Sequence, residues 1–261
     1  MKYIDIHSHL GFEDYGADKA EVINRMKESG VGTIAVGADL STSIEAVKVA
    51  NEFENVWACI GQHPTHKPEE IFEEKDYEEL VKNPKVVAVG ECGLDYFFRD
   101  QKIISDKLKV ESYKERQKEI FIKQIEFAIK HDKPLMLHIR DAFDDAYDIL
   151  KLYQGKVRGN VHFFTGKLET AQKFIEIGFT ISFVGLITYV QDFDKIIKAV
   201  PLASLQAETD APYVAPVPHR GERNEPSYVI EVYKKIAQIR GEDPELVRLQ
   251  LLENARRVFR V

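Results

Sequence analysis

Short β-type runs alternate with longer helical patterns along the whole 261-residue chain. That alternation admits few folds, because repeated βα units build parallel sheets. The runs fall at 3–7, 33–36, 57–60, 86–90, 135–138, 160–163, 180–183 and 205–208, which makes eight. Helical patterns occupy 18–29, 41–52, 113–131, 142–152, 168–177 and 193–199, and two more, 226–240 and 244–258, follow the last strand. Eight strand–helix repeats predict a (β/α)8 TIM barrel spanning 1–261 as one domain, with an open doubly wound sheet as the alternative of similar alternation. A barrel makes a specific demand: reactive side chains gather at the C-terminal ends of the strands. Two segments, 98–112 and 213–226, are too long or polar for simple turns and are expected to overhang the barrel mouth.

Hydrophobic residues make up 44% and charged residues 30% of the chain, enough apolar material for a sizeable core and too much for a disordered one. With 36 Lys+Arg against 43 Asp+Glu the net charge is −7, so there is no global basic footprint for nucleic acid. A polyanionic substrate would have to be held locally, through metal ions. Cys59 and Cys92 are too few for a disulfide framework and point to a reducing compartment. The N-terminus shows no export pattern, and no window approaches the roughly 20 apolar residues of a membrane span. A cytoplasmic protein without membrane contact is therefore expected. Gly-rich phosphate loops and tandem repeats are absent, which argues against dinucleotide and P-loop chemistry.

The strand ends carry the chemistry. The first ends Asp5-Ile6-His7-Ser8-His9, and side chains two apart on a strand share a face, so both imidazoles point one way. The fourth delivers Glu91, the fifth His138, the sixth His162 and the eighth Glu208 and Asp210. Four His, one Glu and one Asp at five matching edges are hard to explain as packing, because unpartnered buried ionisable groups cost several kcal/mol. Six ligands exceed one tetrahedral zinc, so two divalent ions are expected. One is assigned to His7, His9, Glu91 and Asp210, the other to His138, His162 and a bridging Glu91. The mixed imidazole and carboxylate set leaves zinc, manganese, magnesium, iron and nickel open.

The chain resembles the TatD-type metal-dependent deoxyribonucleases of the amidohydrolase superfamily. The matching stretches are Ile6-His7-Ser8-His9-Leu10, Gly61-Gln62-His63-Pro64, Gly90-Glu91-Cys92-Gly93-Leu94-Asp95-Tyr96, His138-Ile139-Arg140, His162-Phe163-Phe164-Thr165-Gly166 and Glu208-Thr209-Asp210-Ala211-Pro212-Tyr213. Further matches at Pro216-Val217-Pro218-His219-Arg220-Gly221 and Asn254-Ala255-Arg256 extend it over nearly the whole chain. The resemblance implies a barrel, divalent metals at these strand ends and hydrolysis of phosphodiester bonds in DNA, single-stranded or from 3′ ends, as a 3′-to-5′ exonuclease. Phe163 stands where the family commonly has Cys, and the stretch 99–110 is longer than usual.

Asp210 is the expected general base for an acidified water. Glu208, on the same strand face, either assists it or holds a further ion, with orienting a ligand as the plainer role. His63 either contacts phosphate and protonates the leaving oxygen, or holds its own loop. Arg140 suits bidentate phosphate contact, with a salt bridge to Asp141 or Asp144 as the plainer role. Arg220 and Arg223 put two cations on the last mouth loop, and Tyr96, Phe97, Phe98 and Tyr213 are candidates for stacking a base. No obligate protein partner is implied. Because the same activated water attacks carbonyls, an aminoacyl-tRNA ester or a small cyclic amide is the alternative substrate. A non-catalytic metal- or nucleic-acid-binding scaffold is the other, and a complete two-ion ligand set argues against it.

Overall fold

The computed structural model describes residues 1–65, 71–97 and 106–261. Eight strands run in the order of the sequence, β1 (Tyr3–Ser8), β2 (Val31–Val36), β3 (Val56–Ile60), β4 (Val86–Asp95), β5 (Leu135–Arg140), β6 (Gly159–Val161), β7 (Phe179–Phe183) and β8 (Leu205–Ala207). All seven neighbouring pairs are parallel. This is the expected TIM barrel, wrapped by α1 (Lys19–Ser29), α2 (Leu40–Glu52), α3 (Glu74–Val81), α4 (Lys107–Lys130), α5 (Phe143–Lys151), α6 (Leu168–Glu176), α7 (Asp194–Ala199), α8 (Val229–Arg240) and α9 (Pro244–Phe259). No helix among the described residues is long and apolar enough to cross a membrane.

Away from bulges in β1 and β4, the strands alternate between an inner and an outer face, both of which are buried. Outward residues such as Val31, Ala35, Leu135, Leu137 and Ile181 pack under the helices. Inward residues Ile4, Ile6, Ile34, Val36, Cys59 and Met136 fill the lower barrel and meet Leu252, Ala255, Val258 and Phe259 of α9, which plugs the bottom. Both cysteines are buried and free. The β6–β8 side of the barrel is polar instead: Asn160, Thr180 and Ser182 hydrogen-bond to one another.

The seam between β1 and β8 is closed differently from the others. Among the described residues a single bridge, Ser8 to Ala211, joins β1 to the segment that follows β8, with the Asp210 N–H donating to the His7 carbonyl at 2.9 Å and the His9 N–H to the Ala211 carbonyl at 2.7 Å. Asp5 completes the seam from outside: its carboxylate accepts the Thr209 N–H at 2.8 Å and the Thr209 hydroxyl at 2.7 Å.

Two helical features differ from the reading of the sequence. The helix Glu74–Val81 is not among those read, because only Tyr77 and Val81 of its charged sequence are buried. The long helix begins at Lys107, not at 113, because the Asp106 carboxylate caps it by accepting the N–H groups of Leu108 and Lys109. The expected mouth loop 98–112 is thus helix from 107 onward; its residues 98–105 lie outside the described residues.

Candidate metal centre

Two register shifts create the site. On β1 the pairing jumps from Asp5–Thr33 to Ser8–Ala35, one extra residue on the β1 side. The bulge keeps Ser8 on the outer face, where its hydroxyl meets that of Thr33 at 2.8 Å, while His7 and His9 turn into the barrel mouth. On β4 the pairing jumps between Gly90 and Cys92, and the extra residue is Glu91. Asp210 follows β8 with a left-handed φ of 54°, which turns its carboxylate to the same place.

The donors form two sets. His7 Nε2 and His9 Nε2 are 3.4 Å apart. Glu91 Oε2 lies 3.6 and 3.7 Å from them, and Asp210 Oδ1 lies 3.7 and 3.5 Å from them. Donors placed tetrahedrally about 2.0–2.1 Å from one zinc are about 3.3 Å apart, so His7, His9 and Glu91 are spaced to hold one divalent ion with slight contraction, and Asp210 lies at a similar distance from both imidazoles. The other oxygen of the same carboxylate, Glu91 Oε1, faces His138 Nδ1 at 2.8 Å and His162 Nε2 at 3.0 Å. Glu91 therefore presents one oxygen to each set.

The remaining ring nitrogens agree with that assignment. His9 Nδ1–H donates to the Val36 carbonyl at 3.0 Å, and His162 Nδ1–H to Glu208 Oε1 at 3.1 Å. His138 Nε2–H donates to Asp95 Oδ2 at 3.1 Å. Each partner holds the proton on one nitrogen and leaves a lone pair on the other, aimed into the site. His7 Nδ1 is buried without a partner among the described residues. Burial alone would push Glu91 up, but the imidazoles of His162, His63 and His7 and the hydrogen bond with His138 hold it far below the usual carboxylate range. No Lys or Arg among the described residues pairs with Glu91, Glu208 or Asp210, so a bound cation is the natural counter-charge.

The other predicted residues divide into those at the site and those away from it. A cavity of about 380 Å³ opens over the donors, lined by His63, Arg140, Phe163, Asp210 and Tyr213 among others. His63 Nε2 lies 3.6 Å from Glu91 Oε1, and burial holds its imidazole down at about 3. Glu208 is fully buried beneath the ligands, accepting the Ser182 hydroxyl at 2.7 Å and the Phe163 N–H at 2.8 Å as well as His162. It is hydrogen-bonded to the His162 ring and does not line the cavity. Phe163 adopts a left-handed φ of 44° and reaches the cavity wall.

Four predicted substrate contacts are placed elsewhere or otherwise engaged. Tyr96 donates its hydroxyl to Asp145 at 2.7 Å beneath Lys114, and does not line the cavity. Arg223 pairs with Asp18 at 2.5 Å and lies over Tyr15, and Arg220 lies over Tyr189. Neither lines the cavity. Arg140 does line it, but its guanidinium is bonded to Asp95, not to Asp141 or Asp144. The sequence reading missed Asp95 as a partner of His138, although its position four residues after Glu91 on one strand face was a usable signal. Ser182, which donates to Glu208, carried no such signal.

A model of the TatD related DNase family matches residues 4–260. The uncharacterized metal-dependent hydrolase YabD of Bacillus subtilis is 37% identical over 98% of both chains. MJ1582 of Methanocaldococcus jannaschii, also described as an uncharacterized metal-dependent hydrolase, is 31% identical over 100% of this chain and 98% of its own. Among solved structures, the TatD homologue YjjV of Escherichia coli superposes with a TM-score of 0.87 at 28% identity, covering 100% of this chain and 98% of that one.

Proposed function

The chain belongs to the TatD-related DNase family, and from that membership we propose that it is a metal-dependent hydrolase that cleaves phosphodiester bonds of DNA, removing nucleotides from 3′ ends at a two-ion centre. The observation that carries the reading is Glu91, whose Oε2 faces His7 and His9 while its Oε1 faces His138 and His162. Asp210 completes the first set. Divalent ions held there would supply Lewis acidity, polarising a phosphoryl oxygen and acidifying water at neutral pH. The protein residues do the rest. Asp210 lines the cavity and is the carboxylate placed to take a proton from the attacking water. His63, on the same wall, directs a hydrogen-bond donor at the substrate.

The arginines do not support the choice of phosphorus over carbon. Arg220 and Arg223 lie away from the cavity, and Arg140 is bonded to Asp95. The choice of DNA rests on the family and on the two-ion arrangement, so the test must include the alternative substrates. A 5′-labelled single-stranded oligonucleotide is incubated with protein and Mg²⁺ or Mn²⁺, beside EDTA and Asp210→Ala controls. A ladder shortening from the 3′ end, absent from both controls, is expected. Metal-loaded protein that leaves DNA intact but hydrolyses an aminoacyl ester or a cyclic amide would replace the nuclease reading.

A further inference from the structure

Glu91, Gly93 and Asp95 occupy alternate positions of β4 and so share its inner face. His138 is the ladder partner of Gly93. Its ring therefore lies across the one position of the three that has no side chain, with Nδ1 at 2.8 Å from Glu91 Oε1 and Nε2 at 3.1 Å from Asp95 Oδ2. A Cβ on Gly93 would collide with the His138 carbonyl oxygen, and its φ of +141° is one that L side chains rarely adopt. The pattern Glu-x-Gly-x-Asp is thus a cradle for a single imidazole.

Asp95 is tightly held. Arg140 donates from Nε to Oδ1 at 3.0 Å and from Nη2 to Oδ2 at 2.5 Å. The Phe97 N–H donates to Oδ1 at 2.9 Å, and the Gln117 amide ties both backbone groups of Asp95 at 2.7 and 2.8 Å. A buried carboxylate without a counter-charge is costly, and the guanidinium offsets that cost. We propose that Asp95, with Arg140 as its counter-ion, is the positioning residue that keeps His138 a ligand through Nδ1, and that Arg140 acts through Asp95 and not on the substrate phosphate. His162 has the equivalent support from Glu208, but there the carboxylate is satisfied by Ser182 and a backbone N–H. The two imidazoles of the second set are therefore buttressed differently, and only the His138 buttress includes a cation at the cavity wall.

The inference rests on the two-ion reading in taking His138 as a ligand. Zn²⁺ is titrated into metal-free wild type, Asp95→Asn, Arg140→Gln and Arg140→Lys in competition with a chromophoric chelator, and DNA cleavage is measured at saturating metal. Removal of such outer partners typically weakens metal binding about 10–100-fold. Asp95→Asn is expected to weaken the second zinc by that factor and to leave the first unchanged, which also reports an intact barrel. Arg140→Gln is expected to weaken the second zinc with KM for DNA unaltered, and Arg140→Lys to restore part of the loss. ¹⁵N spectra of the zinc-loaded wild type should show His138 protonated at Nε2. Two zincs bound with undiminished affinity by Asp95→Asn would overturn the proposal alone, as would an Arg140→Gln protein with raised KM and unchanged zinc binding. A single zinc in the wild type would overturn the two-ion reading itself.

Discussion

His63 Nδ1 accepts the backbone N–H of Thr65 at 3.1 Å, and the Thr65 hydroxyl lies 2.8 Å from the same nitrogen. With Nδ1 engaged as an acceptor, the proton of the neutral ring resides on Nε2. That nitrogen is the one facing Glu91 and the cavity. His63 is consequently a neutral donor, and burial keeps it neutral above a pKa of about 3. It is not an imidazolium acid at physiological pH.

Removing one well-placed donor to a developing anion typically costs about 10²–10³ in kcat, so His63→Ala is expected to lose activity on that scale while still binding metal. His63→Asn should recover part of it. The rate profile of the wild type between pH 5 and 8 should contain no limb that His63→Ala abolishes. Such a limb near pH 6 would mean that the ring works as an acid after all.

Glu208 aims His162, so Glu208→Gln should weaken binding of the second ion about 10–100-fold without abolishing binding at His7 and His9. Ser182→Ala leaves the buried carboxylate short of one donor, at a cost of about 1–3 kcal/mol. Isothermal metal titration and urea denaturation of the two variants separate the roles: the first variant moves mainly in metal affinity, the second in stability.

Thr209→Val deletes the hydroxyl that Asp5 accepts at 2.7 Å across the β1–β8 seam. The expected loss is about 1–3 kcal/mol, read as a few degrees in the midpoint of a thermal melt. Because Asp210 is the next residue, activity at saturating metal should fall as well. A variant with a wild-type melt would show that the seam is held by its backbone bonds alone.

Asp132 is clasped by Arg260 at 2.6 Å and Arg158 at 3.0 Å. The Arg260 hydrogen bond, followed by that of Arg158, lowers its pKa. A depressed folded-state value means that the clasp contributes fully above the unfolded carboxylate range and is lost as pH falls through the folded value. Asp132→Asn should therefore lower the urea midpoint slightly at pH 7, and the gap from wild type should narrow as pH falls through the depressed folded-state value. The carboxylate is largely exposed, so the effect is small.

The barrel was legible because strands buried on both faces read as apolar runs, and five of the runs end where the candidate donors begin. All eight appear within a few residues of their expected places. What the pattern does not contain is register. The extra residues at His7 and Glu91 depend on how neighbouring strands pair, and a period of two in one strand says nothing of that. That the six strand-end side chains would converge was legible because they repeat the same chemistry at equivalent places. Arg223 could not, since its fate depends on Asp18, 205 positions away. Tyr96 likewise turns to Asp145, 49 positions on. Arginine and tyrosine are long enough to choose among several neighbours, whereas a histidine at a strand end has little choice of direction.

The polar clasp at the β1–β8 seam also has a consequence for timing. Asp5 and Thr209 lie 204 positions apart, and the ligands His7 and Asp210 sit directly beside them. Synthesis proceeds from the N-terminus, so a growing chain carries five of its six donors long before the last strand emerges. Until that strand docks, the first donor set lacks its carboxylate and the proposed base is missing. On the two-ion reading, the proposed site is completed only by the piece that shuts the barrel.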